Sequence, residues 1–303
     1  MNPTLDGDQP DRARDRGIVP AAEAAPEISG ADPDLADEDC GLYGPASVTW
    51  RLHSDPLVDL ATLRFLLLQA LHPATTAAAD AHSRTPGDPW HRLARTAEYL
   101  AMTTFGSRHE AMLAAARLRA VHARTVGTAP DGRPYAADDV GLQVWVHCCL
   151  VDSVLDVVPR GGLELTAEER DAYVAEQVLA ATLVGLEPDA VPHDQAGLAR
   201  GFRRLRPALR ATASARELAA VVIACGDEPD DDEPWLEGPI RPVWASVAGL
   251  AFAALPGWAR RLYALPELPS AAGLEGPATA FALRSLRTAL LGAGGAAFPP
   301  GYR

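Results

Sequence analysis

The chain has 303 residues, 48% of them hydrophobic, and a formal net charge of −13. That is enough apolar material for a substantial core and too much for a chain disordered throughout. Its basic side chains are all arginine, with no basic stripe among them, which makes nucleic acid a poor partner because phosphate contacts need clustered cations. Much of the acidity is local: residues 1–40 carry eleven Asp and Glu against Arg12, Arg14 and Arg16, in a background of Pro, Ala and Gly. Such a segment cannot bury enough surface to offset its ordering entropy, and it reads as a disordered acidic tail. It lacks the basic start and apolar stretch of a secretory signal, so the expected location is cytoplasmic. Cys40, Cys148, Cys149 and Cys225 form no CxxC spacing, consistent with reduced thiols.

From residue 41 onward helical periods dominate, and residues 41–303 read as one helical domain. "LVDLATLRFLLLQALHP" is an apolar helix closed by His72 and Pro73. It is too short, and too interrupted by Asp59 and Arg64, to span a bilayer, and no transmembrane segment is expected. A small-residue stretch, "ATTAAADAHSRTPGDP", leads through a Pro-Gly turn into "HRLARTAEYL". "SRHEAMLAAARLRAVHART" is the next helix, ending at Val126 and Gly127, and "APDGRPYAADD" is a turn or short loop. Asp138 or Asp139 is placed to cap "VGLQVWVHCCLVDSVLDVV", and Thr166 with Glu169 forms a capping box for the helix after it. One more helix follows in "EPDAVPHDQAGLARGFRRL", after which the pattern loosens. "CGDEPDDDEP" reads as an acidic loop, "VWASVAGLAFAALPGWARRLYALP" as a helix broken at Pro256, and "AFALRSLRTALLG" as the last helix. No period-2 run of β-branched residues is longer than a few positions, so the fold class is all-α.

The usual catalytic signatures are missing: there is no GxGxxG, Walker loop, HExxH or GxSxG. What remains are polar residues set into helical periods. Arg92, Arg95, Thr96 and Tyr99 share one face of a helix whose other face carries Leu93, Ala97 and Leu100. A solvated side is the plain explanation for such a face. His122 shares a face with Ala111, Ala115 and Leu118, a strip of small side chains on which a flat ligand could lie; a core histidine bonded to a carbonyl would look the same. His147, among Val140, Val144, Val151 and Val154, is its rival. Asp80, His82 and His91 match no standard metal-ligand spacing.

Taken in order, "WRLHSDP", "LLLQALHP", "DPWHRLARTAEYLAMTTFG", "RLRAVHARTVGT", "DGRPYAADD", "LQVWVHCCLVDSVL", "LTAEERDAYVAEQ" and "LVGLEPDAVP" resemble the MpaB-type oxygenase family, which includes the catalytic domain of rubber oxygenase (latex clearing protein). The similarity runs from about Gly41 to Arg210; the last hundred residues resemble nothing that can be placed. The resemblance implies an all-helical haem-binding domain that uses haem b and O₂ on a hydrophobic, unsaturated, isoprenoid-like substrate, with a possible electron donor. It implies His122 as the proximal iron ligand and a distal group of Arg92, Arg95 and Thr96; on the residues themselves His147 is the alternative ligand, and Tyr99, on the same face as the distal group, is assigned to the same pocket. In that picture the arginines pair with a propionate or with negative charge on bound O₂, and a second group holds the other ring nitrogen of His122. The chain departs from the rubber enzymes at Arg95, where they have lysine; a guanidinium, charged at any working pH, is a poor iron ligand, so the distal amine ligand is lost. A helical module that binds haem or another small ligand without oxygen chemistry is the other reading of the same helices.

Overall fold

A computed structural model of the chain describes residues 41–82, 89–129, 131–224, 240–264 and 276–293. The acidic tail, Cys40, Cys225 and the acidic loop at 225–234 lie outside these residues, as do the side chains of Asp80, His82 and His91. Among the described residues the fold is all-α, with twelve helices and one small hairpin. In chain order they are α1 (Val48–His53), α2 (Val58–Gln69), α3 (Pro73–His82), α4 (Pro89–Phe105), α5 (Arg108–Arg124), β1 (Val126–Thr128), β2 (Pro134–Ala136), α6 (Val140–Arg160) and α7 (Ala167–Leu183). They continue with α8 (Gln195–Leu205), α9 (Ala213–Ala224), α10 (Ile240–Ala253), α11 (Gly257–Tyr263) and α12 (Pro277–Gly292).

The centre of the molecule is the crossing of α2 and α6. Both are apolar around most of their circumference, the pattern of a helix surrounded by others, and Leu60 to Leu68 of α2 is buried without a break. Among the described residues α6 is the one helix long and apolar enough to cross a membrane by length and composition, yet most of it is buried by its neighbours, as a core helix is. Gly161 ends it where a Cβ would stand 2.1 Å from Leu57 Cδ1, so the close approach of the two chain segments requires glycine.

One charge sits inside this apolar crossing. Arg64 of α2, only 2% exposed, donates from Nη1 to Ser153 Oγ (2.7 Å), from Nη2 to Asp152 Oδ2 (2.8 Å) and from Nε to the Ala254 carbonyl (3.0 Å). Each of the three guanidinium nitrogens donates a hydrogen bond, which offsets the cost of burying the charge. The Ala254 carbonyl is available because Pro256 interrupts the helix there and separates α10 from α11, as the sequence predicts.

Helix starts follow their caps. Asp139 accepts from Leu142 N at 2.9 Å and starts α6, while Thr166 and Glu169 form the predicted capping box of α7. Ser107 and Glu110 form a second box on α5. Two elements differ from the sequence expectation. Pro73 does not close the helix before it but stands as the first residue of α3, a position that needs no N–H, and the alanine run behind it is helical. The helix expected to end at Val126 and Gly127 ends at Arg124, and those residues begin a two-stranded antiparallel hairpin whose second strand lies in the predicted turn at 129–139, with Val126 opposite Ala136 and Gly127 opposite Tyr135. At Gly127 a Cβ would meet the Tyr135 hydroxyl at 2.6 Å, so the absent side chain lets the Tyr135 ring lie across its partner strand. The ring is buried with Ala77, Ala78 and Ala129.

Candidate functional site

The hairpin joins the end of α5 to the start of α6, and the Ala137 amide donates to the Thr125 carbonyl at 2.9 Å to fasten its base. The two helices are thereby held so that His122, in the last turn of α5, meets Gln143, in the first turns of α6. The His122 Nδ1 to Gln143 Nε2 distance is 3.3 Å. Half-burial pushes the His122 pKa below that of an ordinary imidazole, and the nearby Asp138 carboxylate opposes the shift only in part. The ring is therefore neutral at neutral pH, the form that can give a lone pair to a metal. Its Nε2 makes no hydrogen bond with the described residues.

The small-residue strip on α5 is buried: Ala111 and Ala115 are fully covered and Ala114 nearly so. The other flank of α5, with Met112, Leu113 and Val121, is exposed. α5 forms an extended interface with α4, a smaller one with α7, and none of comparable size with α6, which it reaches through the His122–Gln143 contact. Arg119 fastens the seam to α7 by donating to the Leu183 carbonyl.

On α4, Arg92, Thr96, Tyr99 and Thr103 follow one another at helical spacing along one line, with Arg92, Thr96 and Tyr99 half-buried and Thr103 buried. Arg95 lies off this line and is exposed. The Thr96 hydroxyl donates to the Arg92 carbonyl at 2.8 Å, so its proton is already committed and it presents lone pairs. The Tyr99 hydroxyl is buried and has no hydrogen-bond partner. Burial raises its pKa to about 12, with Arg119 pulling the other way.

His147 lies one turn beyond Gln143 on α6 and is buried. Its Nε2 has no hydrogen-bond partner, and burial lowers its pKa to about 4, so the ring is neutral. Sequence reasoning singled out His122 and His147 but passed over Gln143. A lone glutamine on an apolar helix gives no signal except its one-turn spacing from His147.

A different buried histidine escaped notice for the opposite reason. His53 of α1 has Nδ1 2.8 Å from Thr104 Oγ1 and Nε2 3.0 Å from the Tyr173 hydroxyl. Beside it Gln177 donates to Thr49 Oγ1 at 3.0 Å, and Glu176 accepts from the Val48 and Thr49 amides at 3.1 and 2.7 Å. This seam of α1, α4 and α7 is closed to further partners.

Among the described residues no three His, Cys, Asp or Glu side chains converge to hold a metal by themselves. What the α4–α5–α6 region offers is single donors: an imidazole with a free nitrogen, a second neutral imidazole and a phenol, in apolar surroundings. Neither a curated protein nor a solved structure matches the chain. The description "ER-bound oxygenase mpaB/B'/Rubber oxygenase, catalytic domain" matches residues 50–289, so α9 to α12, which the sequence motifs left unplaced, fall within the same domain. By that match over most of its length, the chain belongs to the ER-bound oxygenase mpaB/B′ and rubber oxygenase catalytic-domain family.

Proposed function

We propose that this member of an oxygenase family is a haem b-dependent oxygenase that uses O₂ on a hydrophobic, unsaturated, isoprenoid-like substrate, with His122 as the axial ligand. The observation that carries the reading is that two buried polar atoms, Tyr99 Oη on α4 and His147 Nε2 on α6, have no hydrogen-bond partner among the described residues, whereas the other buried histidine there is fully satisfied. A buried polar atom without a partner costs about 1–3 kcal/mol, and such a cost is expected where a ligand completes the site. The donor set fits a porphyrin: iron held by four ring nitrogens needs one imidazole from the protein, and the Nε2 of His122 makes no hydrogen bond with the described residues. Haem would supply the oxidative chemistry with O₂, and the chain would supply binding, orientation and charge.

Within that reading each residue has a defined task. His122 gives the Nε2 lone pair. Arg92, half-buried on α4, holds an anionic group such as a propionate; Arg95, off that line and exposed, adds positive charge at the solvent edge. Thr96, whose proton is bonded to the Arg92 carbonyl, accepts a hydrogen bond from a water or a substrate hydroxyl. Tyr99 donates its free O–H into the site and keeps its proton at neutral pH. The neutral His147 can donate or accept one hydrogen bond.

Protein produced with adequate haem supply should show a Soret band that moves when CO is added to the reduced form, and His122→Ala should abolish it. Loss in His147→Ala with retention in His122→Ala would move the ligand to α6. Binding of haem without O₂ uptake in the presence of reductant and isoprenoid alkenes would leave a haem-binding module and end the oxygenase part of the proposal.

A further inference from the structure

A neutral imidazole carries one proton, on either nitrogen, and can give a lone pair to a metal only from the other. Which nitrogen holds the proton is set by the partner of the first. For His122 that partner is the Gln143 side chain, whose Nε2 stands 3.3 Å from Nδ1, so the oxygen-first arrangement requires a half-turn of the amide. A carboxamide has two nearly identical ends, an NH₂ that donates and an oxygen that accepts, exchanged by a half-turn about its terminal bond. With the NH₂ toward Nδ1, the ring proton must sit on Nε2 and the imidazole cannot ligate. With the oxygen toward Nδ1, the proton is held there and the Nε2 lone pair is exposed.

We propose that Gln143 is the positioning residue of His122, its amide turning oxygen-first to fix the Nδ1–H tautomer and so direct Nε2 at the haem iron. The inference rests on the cofactor reading above and adds the residue that makes the ligand competent. Two observations beyond the contact itself support it. Gln143 is anchored: its own amide donates to the Asp139 carbonyl at 2.9 Å within a helix start that Asp139 also caps, and the hairpin holds that start to the end of α5. Among the described residues Asp138 acts on the ring through its field and makes no hydrogen bond to it. Gln143 is thus the ring's sole hydrogen-bond partner among the described residues. A neutral acceptor also sets the character of the site, because an amide oxygen draws the Nδ1 proton less than a carboxylate would and leaves the imidazole a weaker electron donor.

The test uses the full chain reconstituted with hemin and four variants, Gln143→Leu, Gln143→Glu, His122→Ala and His147→Ala. Hemin affinity, the iron–histidine stretching frequency of the ferrous form and the midpoint potential are measured for each. Gln143→Leu should weaken hemin binding about 10–100-fold and lower and broaden the stretch, as expected for loss of an outer partner of a metal-bound histidine. Gln143→Glu, which can only accept, should keep hemin, raise the stretch and shift the potential downward. If Gln143→Leu does not fold, as judged by its helical circular dichroism, the glutamate variant carries the test alone. Unchanged stretch and potential in the Gln143 variants, with hemin lost in His122→Ala, overturn the role of Gln143 and leave the cofactor reading intact. Hemin bound equally well by His122→Ala, or not bound by the natural chain, overturns both.

Discussion

Two seams of this molecule bury the same kinds of side chain and treat them differently. Between α1, α4 and α7, His53 is bonded at both nitrogens, to Thr104 and to Tyr173, and the glutamine beside it is bonded as well. Elsewhere, Tyr99 Oη on α4, with Arg119 and Tyr43 near it, and His147 Nε2 on α6 are equally shut off from water and have no hydrogen-bond partner among the described residues. Burial alone therefore does not separate the two histidines; the completeness of their hydrogen bonding does. In the first, the chain itself supplies every partner of the histidine; at Tyr99 Oη and His147 Nε2 the described residues supply none.

The comparison can be pressed hardest at the crossing of α2 and α6, which belongs to the satisfied class. Arg64→Met should destabilise the protein by about 3–5 kcal/mol in urea denaturation, because Asp152 loses its partner and the Ala254 carbonyl its donor. A loss below about 1 kcal/mol would show that the guanidinium is replaceable by packing, which contradicts a satisfied core.

Acid probes both seams together. His53 and His147 have pKa values lowered to about 4 by burial, so the folded state keeps them neutral while the unfolded state protonates them near the ordinary value of about 6.5. Stability should thus fall as pH drops below about 6.5 and stop falling on their account near 4, by on the order of 3 kcal/mol per imidazole. Unfolding midpoints measured in steps across that window should fall less steeply in His147→Phe; an unchanged slope would mean that the ring is not held neutral.

Two tyrosine variants sharpen the contrast at the scale of one hydroxyl. Tyr173→Phe strips His53 Nε2 of its partner and should cost about 1–3 kcal/mol. Tyr99→Phe removes a hydroxyl that has no partner and should change the ligand-free protein by less than about 0.5 kcal/mol, or stabilise it. Equal losses in the two variants would erase the distinction between the seams.

How much of this was legible beforehand depended on whether a feature is local. The capping box at Thr166 and Glu169, the cap at Asp139 and the break at Pro256 are each set within a few residues, and each is visible in the chain. The start of α3 was misread because Pro73 can end one helix or open the next, and only the fold chooses. The hairpin was hidden because three-residue strands have no periodicity, and α9 because the pattern was judged to loosen after α8. At the site, the α4 stripe and the α5 strip follow from helical spacing, but the spacing cannot tell Arg92 from Arg95, which burial separates. Nor can it pair Gln143 with His122 across the hairpin, since that contact is made by tertiary structure alone.

The C-terminal helices are tied to the centre by more than apolar contact. Arg64 takes its third acceptor from Ala254, the residue that follows α10, and the Tyr263 hydroxyl, at the end of α11, donates to the Leu67 carbonyl of α2. Cutting the chain before residue 240 would therefore strand a guanidinium in the interior and open a wound at the middle of α2, yielding insoluble material and no minimal catalytic fragment. Anyone trimming this protein for crystallisation or directed evolution should keep α10 and α11, however loosely their sequence resembles the rest.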